Sequence, residues 1–526
     1  MCLSPRPPVY WVSKFNDAHP KATLKPWEQT DSEEDWGTDE TEDEIDPEEH
    51  HVTAPVIRST QNVGSFTLLP VELVANILYL VCSPSTDSTM HAKLVYQLMS
   101  VCTLFNDVIL GKPEFWNSIV MPLYDRPIDH IPLYVQRSKS LPLNIILHLR
   151  PHDHGFSRRQ RFKARTFTLF GEAHRWRTLQ IVMDDPWKDI TSVLPPVLPT
   201  LESLQVTSKH RHALDRPPLC IRTRLPRLNS LQVEQVRLDW SALQLEQKLD
   251  TLLLHDLYLD TETWFACFGF VRACTQLRNL EFRAIVPPSG VFVPLQTTPE
   301  HEISLPLLQA LRITTNAPKP TTRTLIRNLH APELRALWIG QTHLLTLAVT
   351  SSKWDFEGAH LRFPRLERLI LQSISGVEEV LRNSLSDLPT ITHLAILQGA
   401  FTSPSTLPLN DDTGHLLCPN LTSLVTKGIS PQVLRSALEP YALAGVRLRL
   451  WAHADDIALS GLSGESAFEE LEQSVSWLRR TFDLRTVGMA STALYRSWEA
   501  VRSRLWMKHQ VLGADATEVE GWSLRL

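Results

Sequence analysis

Two histidine pairs, His152-Asp153-His154 and His210-Arg211-His212, come nearest to a metal-binding spacing in this chain. With no third ligand at a fixed interval and no cysteine nearby, both read as loop histidines rather than a zinc site. No GxxxxGK[ST], GxGxxG, HExxH or GxSxG sequence occurs, so neither a phosphate-cradling loop nor a nucleophile elbow is offered. The seven cysteines run from Cys2 to Cys418 without a CxxC pair, which suits reduced core thiols of a cytoplasmic or nuclear chain. The basic run Arg158-Arg159-Gln160-Arg161-Phe162-Lys163-Ala164-Arg165 has the charge to meet phosphate, yet it reads more simply as a solvated linker. Binding, not catalysis, is therefore the expected chemistry: no enzyme, no cofactor, no metal, and nucleic acid not a principal partner.

The 526 residues exceed one ordinary domain and carry a formal charge of −6. That charge is uneven. Residues 31–49 hold twelve acidic side chains and no basic one, so the rest of the chain is about +6 (−6 plus 12). A segment with almost no apolar side chains cannot offset the entropy of ordering it, so residues 1–63 are expected to be a disordered acidic tail. No run of about 18 apolar residues occurs, and Met1–Arg6 lacks the layout of a secretory signal; a membrane is not expected.

Residues 66–120 read as helical. Leu69-Pro70-Val71-Glu72-Leu73 has a proline where a missing N–H costs nothing and an acid where the helix end is positive. Leu73, Val74, Ile77, Leu80 and Val81 follow at helical spacing, and after a polar loop Leu94, Leu98, Val101, Phe105 and Val108 form one stripe. Pro113 starts a short third element with Phe115, Trp116 and Ile119.

The order Leu69-Pro70-x-Glu72-Leu73-x-x-x-Ile77, then Val101-Cys102, then Pro113-x-Phe115-Trp116-x-Ser118-Ile119, resembles the F-box. The next stretch, Arg137-Ser138-Lys139-Ser140-Leu141-Pro142-Leu143, is similar to the segment after the F-box in large fungal families. This chain departs from the pattern in a longer loop before the second helix and in Phe105, where the family often has tryptophan. The resemblance implies binding to the Skp adaptor, and through it to the cullin scaffold, by Leu69, Pro70, Leu73, Ile77, Leu98, Val101, Phe105, Phe115 and Trp116. Ubiquitin transfer would then belong to other subunits.

From residue 176 to 426 a Leu-x-x-Leu-x-aliphatic hexad recurs ten times, starting at Trp176, Leu201, Leu228, Leu249, Leu277, Leu308, Leu334, Leu366, Ile391 and Leu421. The period and core resemble leucine-rich repeats, without their Asn or Cys ladder, which implies an irregular solenoid of one strand and one return segment per unit. An unrelated α/β domain with leucine-rich strands is the alternative. The expected architecture is thus α/β: a three-helix F-box at 66–120, a linker at 121–170, a leucine-rich-repeat-like solenoid at 171–455, and a helical C-terminal cap at 456–526 with helices at 464–481 and 490–510.

Alternation along each strand sends the residues beside the leucines to the other face. In early copies these are Thr178, Gln180, Ser203, Gln205, Ser230 and Gln232; later come Glu281, Arg283, Arg312, Trp338, Arg368 and His393. An exposed tryptophan flanked by arginines has the composition of an interface hot spot, so an unidentified protein target with an acidic or phosphorylated segment is expected there. The function expected is a target-recruiting F-box subunit of a ubiquitin ligase; the alternative is a scaffold using the same surface without a ligase. One prediction needs only the sequence: deleting residues 1–63 should leave the thermal midpoint nearly unchanged, and a fall of several degrees would show that the tail docks.

Overall fold

The computed structural model describes residues 69–487 except 83–87, 122–129, 150–168, 185–193, 210–217, 244–247, 258, 285–301, 316–324, 342–358, 374–376, 398–405, 412–413 and 454–464. The acidic tail, the basic run at 158–165, both histidine pairs and the helix expected at 490–510 lie outside these residues. In chain order the first strands are β1 (Ser118–Met121), β2 (Leu143–Leu149), β3 (Trp176–Met183), β4 (Ser203–Ser208), β5 (Ser230–Glu234) and β6 (Thr251–His255). Next come β7 (Asn279–Arg283), β8 (Ile303–Ser304), β9 (Ala310–Thr315), β10 (Leu329–His330) and β11 (Ala336–Gln341). The last are β12 (Arg368–Gln372), β13 (His393–Leu397), β14 (Ser423–Lys427), β15 (Arg449–His453) and β16 (Asp483–Val487). Strands β8 and β10 pair with each other; the other fourteen form one sheet whose spatial order is their sequence order, every neighbour parallel.

Each hexad builds the start of one strand. Its fourth residue falls in a single column: Leu179, Leu204, Leu231, Leu252, Leu280, Leu311, Leu337, Leu369, Leu394 and Leu424 are successive partners. All of them are buried, as is the first residue of every hexad. That first residue closes a tight turn, its N–H donating three residues back, as in Leu201 to Leu198, Leu308 to Leu305 and Leu421 to Cys418. The second residue's carbonyl then accepts two successive N–H groups from the next hexad. Glu202, Asn229, Asp250, Arg278, Gln309, Arg335, Glu367 and Thr392 all do so. The hexad therefore fixes its own backbone partners as well as its core side chains.

The strands also end alike. Gln235, Asp256, Ala284 and Ser373 each follow a strand with φ between 51° and 57°, and Gly428 follows β14 with φ 73°. In the left-handed conformation the N–H turns sideways: Gln235 donates to the His255 carbonyl at 2.9 Å, Asp256 to Arg283 at 2.7 Å and Ser373 to Leu397 at 2.7 Å. This conformation disfavours residues with a Cβ. The extra inter-strand bond, which no solvent has to supply, compensates for it.

Several boundaries differ from the sequence expectation. The sheet reaches into both flanks: β1 and β2 precede the first hexad, within the expected F-box and linker, while β15 and β16 follow the last. Residues 465–487 are thus a helix plus a strand of the sheet rather than a purely helical cap. Trp116-Asn117-Ser118-Ile119-Val120-Met121 has the hexad spacing itself, a copy with isoleucine at the fourth position where the ten others have leucine. The stripe read as one helix over 94–108 is broken at residues 100–102. α2 (Ser88–Met99) ends where the Ser100 hydroxyl bonds the Gln97 carbonyl at 2.6 Å, and α3 (Thr103–Gly111) starts after extended Cys102.

Helices fill the return segments. α5 (Thr261–Ala273) is capped by Asp260, whose carboxylate accepts from the Thr263 N–H at 2.8 Å. α6 (Val377–Leu385) buries Val377, Leu381 and Leu385; α7 (Pro431–Leu443) is capped by Ser430, and α8 (Glu465–Thr481) packs beside it. Before the sheet stand α1 (Val71–Cys82), α2, α3, a 3-10 turn at Pro113–Trp116 and α4 (His130–Arg137). The main core runs without a break from Val74 to Phe482. Leu337→Ala, in the middle of the column, should destabilise by about 2–5 kcal/mol, because neighbours on both sides prevent the cavity from collapsing; chemical denaturation measures it.

Candidate functional site

Two surfaces could carry function, and each is set by which side of an element the core leaves over. The first is on the N-terminal helices. α1 is apolar nearly all round, yet only Val74, Ala75, Leu78 and Cys82 are buried. Leu73, Ile77 and Leu80, a helical stripe on another side, are 41–53% exposed. Of the fifteen large apolar residues exposed among the described residues, ten fall between Leu69 and Leu110, and Val101 at the α2–α3 corner is 63% exposed. A contiguous apolar surface is the usual mark of a protein contact, whereas scattered exposed leucines are not.

The expected adaptor residues divide into two groups. Leu69, Pro70, Leu73, Ile77 and Val101 are exposed and Leu98 is half-buried. Phe105, Phe115 and Trp116 are buried, so a direct contact by them is corrected to a supporting role. The Trp116 indole N–H donates to the Ile109 carbonyl at 2.8 Å, its ring meets Tyr134 edge-on at 4.9 Å, and the Arg137 guanidinium lies 4.4 Å from it. Trp116 thereby joins α3 to α4 behind the exposed face. The segment after it is an anchor as well: Ser138 is fully buried, and Arg175 donates to its hydroxyl at 2.8 Å and to the Leu141 carbonyl.

The second surface is the side of the sheet away from the leucines. Strand register makes it a grid of three rows. The middle row reads Ile146, Gln180, Gln205, Gln232, Leu253, Glu281, Arg312, Trp338, Ile370, Ala395, Val425 and Trp451. One flanking row holds Thr178, Ser203, Ser230, Arg368 and His393; the other holds Thr207, Glu234, His255, Arg283 and Thr314. The sequence-derived residues Glu281, Arg283, Arg312, Trp338, Arg368 and His393 do share this face, but not as an exposed hot spot. Trp338 is 1% exposed and forms a second apolar cluster with Ile370 and Ala395, backed by Leu397 and Val425. Alternation predicts the side of a sheet and says nothing of whether that side is open.

The acid here is buried, and the arginine that meets it is half-buried. Glu281 is 4% exposed; its carboxylate lies 3.3 Å from His255 and 3.4 Å from Arg312, whose guanidinium stacks 3.6 Å over the Trp338 ring. Burial alone pushes the Glu281 carboxyl up. The His255 contact and the charges of Arg312 and Arg283 outweigh it, and the group rests below the ordinary carboxylate range. Burial lowers Arg312 against the opposing pull of Glu281. His393 is pushed down by burial and by neighbouring Arg368 and Arg449. Arg312 is therefore neutralised by Glu281 and committed to Trp338, which corrects its expected role as an open grip for an acidic target.

Among the described residues no group of three His, Cys, Asp or Glu side chains could hold a metal, and no helix is long and apolar enough to cross a membrane. Burial pushes the Cys82 and Cys418 thiols up to about 12, far from the thiolate form a nucleophile needs. No protein-family model matches the chain, and no curated protein matches it significantly.

Glu281→Gln should cost about 3–5 kcal/mol at pH 7, since it leaves Arg312 buried without its counter-charge. The sign of the pH dependence follows from the depressed folded value. The Glu281 contribution is full above the unfolded carboxylate range near pH 4.5 and is lost as pH falls through the lower folded value. Urea melts of both proteins from pH 7 to pH 3 should therefore converge only below about pH 4.5.

Proposed function

We propose that this chain is the target-recruiting F-box subunit of a Skp–cullin–F-box ubiquitin ligase, with the N-terminal helices on the adaptor and the repeat-bearing sheet on the target. The observation that carries the reading is the apolar side of α1 and the α2–α3 corner, left exposed by a helical unit whose own tryptophan is already buried. The residue order Leu69-Pro70-x-Glu72-Leu73 lies on that side and supports the adaptor as its partner. Support for the target-binding half is the sheet itself. One short strand per hexad, each parallel to the next in sequence order, supports reading it as a leucine-rich-repeat-like solenoid, an architecture whose extended face suits proteins as ligands.

The test is direct binding of the purified chain to a purified Skp adaptor. Burial of a large apolar side chain contributes about 1.5–3 kcal/mol, so Leu73→Glu/Ile77→Glu/Val101→Glu should weaken binding by about a hundredfold or more. All three side chains are exposed, so the thermal midpoint should stay within a few degrees. No binding by the natural sequence, or undiminished binding by the folded triple variant, would remove the reading.

A further inference from the structure

The face away from the leucines is uneven along its length. From β11 onward its middle row is mostly closed: Trp338, Ile370, Ala395 and Trp451 are 1–3% exposed, and only Val425 between them is half-buried. Over β3 to β5 it stays within reach of solvent and is almost without charge. Gln180, Gln205 and Gln232 stand in direct register there, flanked by Thr178, Ser203 and Ser230, and all six side chains are half-buried. Gln205 donates to Thr207 at 3.3 Å and Thr178 to Asn144 at 2.9 Å. Gln180, Gln232, Ser203 and Ser230 have no side-chain hydrogen bond among the described residues. Glu234, at one border, is the only acidic or basic side chain on these three rows of β3 to β5.

We propose that this open part, and not the arginine-rich part, receives the target, and that the target presents an uncharged, extended polypeptide segment. The inference rests on the recruiter reading above and specifies its ligand. Parallel strands place one glutamine about every 4.8 Å across the sheet. Each carboxamide carries two donors and an acceptor, of which Gln205 gives one donor to Thr207, and the Ser203 and Ser230 hydroxyls offer one donor each. An extended chain laid across the strands carries a donor and an acceptor at every residue and needs such partners to leave water. A charged segment would lose its hydration on this face without meeting a counter-charge, and Glu234 opposes an acidic or phosphorylated one. Charge complementarity thus selects a neutral segment rich in Ser, Thr, Asn or Gln.

The test uses the full-length chain on an array of synthetic 12-residue peptides in three sets: neutral polar, acidic with phosphoserine, and basic. The neutral set should be retained selectively. Gln180→Ala/Gln205→Ala/Gln232→Ala should weaken that retention at least about tenfold with an unchanged thermal midpoint, since each lost uncharged hydrogen bond contributes about 0.5–1.5 kcal/mol. Arg368→Ala should leave it intact. Selection of the acidic or basic set, retention of no set, or undiminished binding by the glutamine variant would overturn the inference. Adaptor binding, measured on the same preparations, separates the two ideas: its absence refutes the recruiter reading whatever the peptides do.

Discussion

The column of leucines at the fourth hexad position imposes a condition that every other part of the structure meets. A short strand with leucines on one side cannot bury them alone; it needs the strands before and after it in the same register. A slip of one residue would turn those leucines to the opposite face. Register is therefore held at both ends of the strand by backbone alone. At the start, one carbonyl accepts two N–H groups from the next hexad. At the finish, residues such as Asp256 and Ser373 adopt the left-handed conformation to reach the neighbouring strand. Between these fixed ends the return segments vary freely, from loops to the thirteen-residue helices α5 and α7.

The two faces of the sheet follow different rules as a result. On the leucine side composition is nearly uniform, because a shared core tolerates little change in volume. On the other side the register constrains position and leaves side-chain type open, and the chain uses that freedom unevenly. Over β3 to β5 it places amides and hydroxyls that remain half-buried. From β7 to β11 it places Glu281, Arg312 and Trp338 in contact, and each depends on the next: the carboxylate neutralises the guanidinium, and the guanidinium covers the indole.

At the N-terminus the imbalance is of another kind. α1 carries more apolar surface than α2, α3 and the 3-10 turn can bury, while Trp116 and Tyr134 tie this unit to the first strands. An apolar side left open on a firmly anchored helix is suited to a partner that arrives already folded, because little ordering entropy remains to oppose association.

The sequence alone determined the repeat, the strand within each hexad, the side of the sheet each residue faces and the start of α1. All of these rest on local periodicity and on helix-end chemistry at Leu69-Pro70-Val71-Glu72. It also contained an additional copy at Trp116–Met121, hidden because Ile119 stands at the fourth position where every other copy has leucine. What it could not reveal was accessibility. Trp338 and Gln205 occupy equivalent positions in the alternation, yet one is enclosed and the other only half-buried. Trp116 and Ile77 both fit one recognition pattern, yet one is interior and the other surface. Burial depends on which side chains neighbouring strands and helices bring against a given spot, as Arg312 is brought over Trp338, and that pairing exists only in the folded chain.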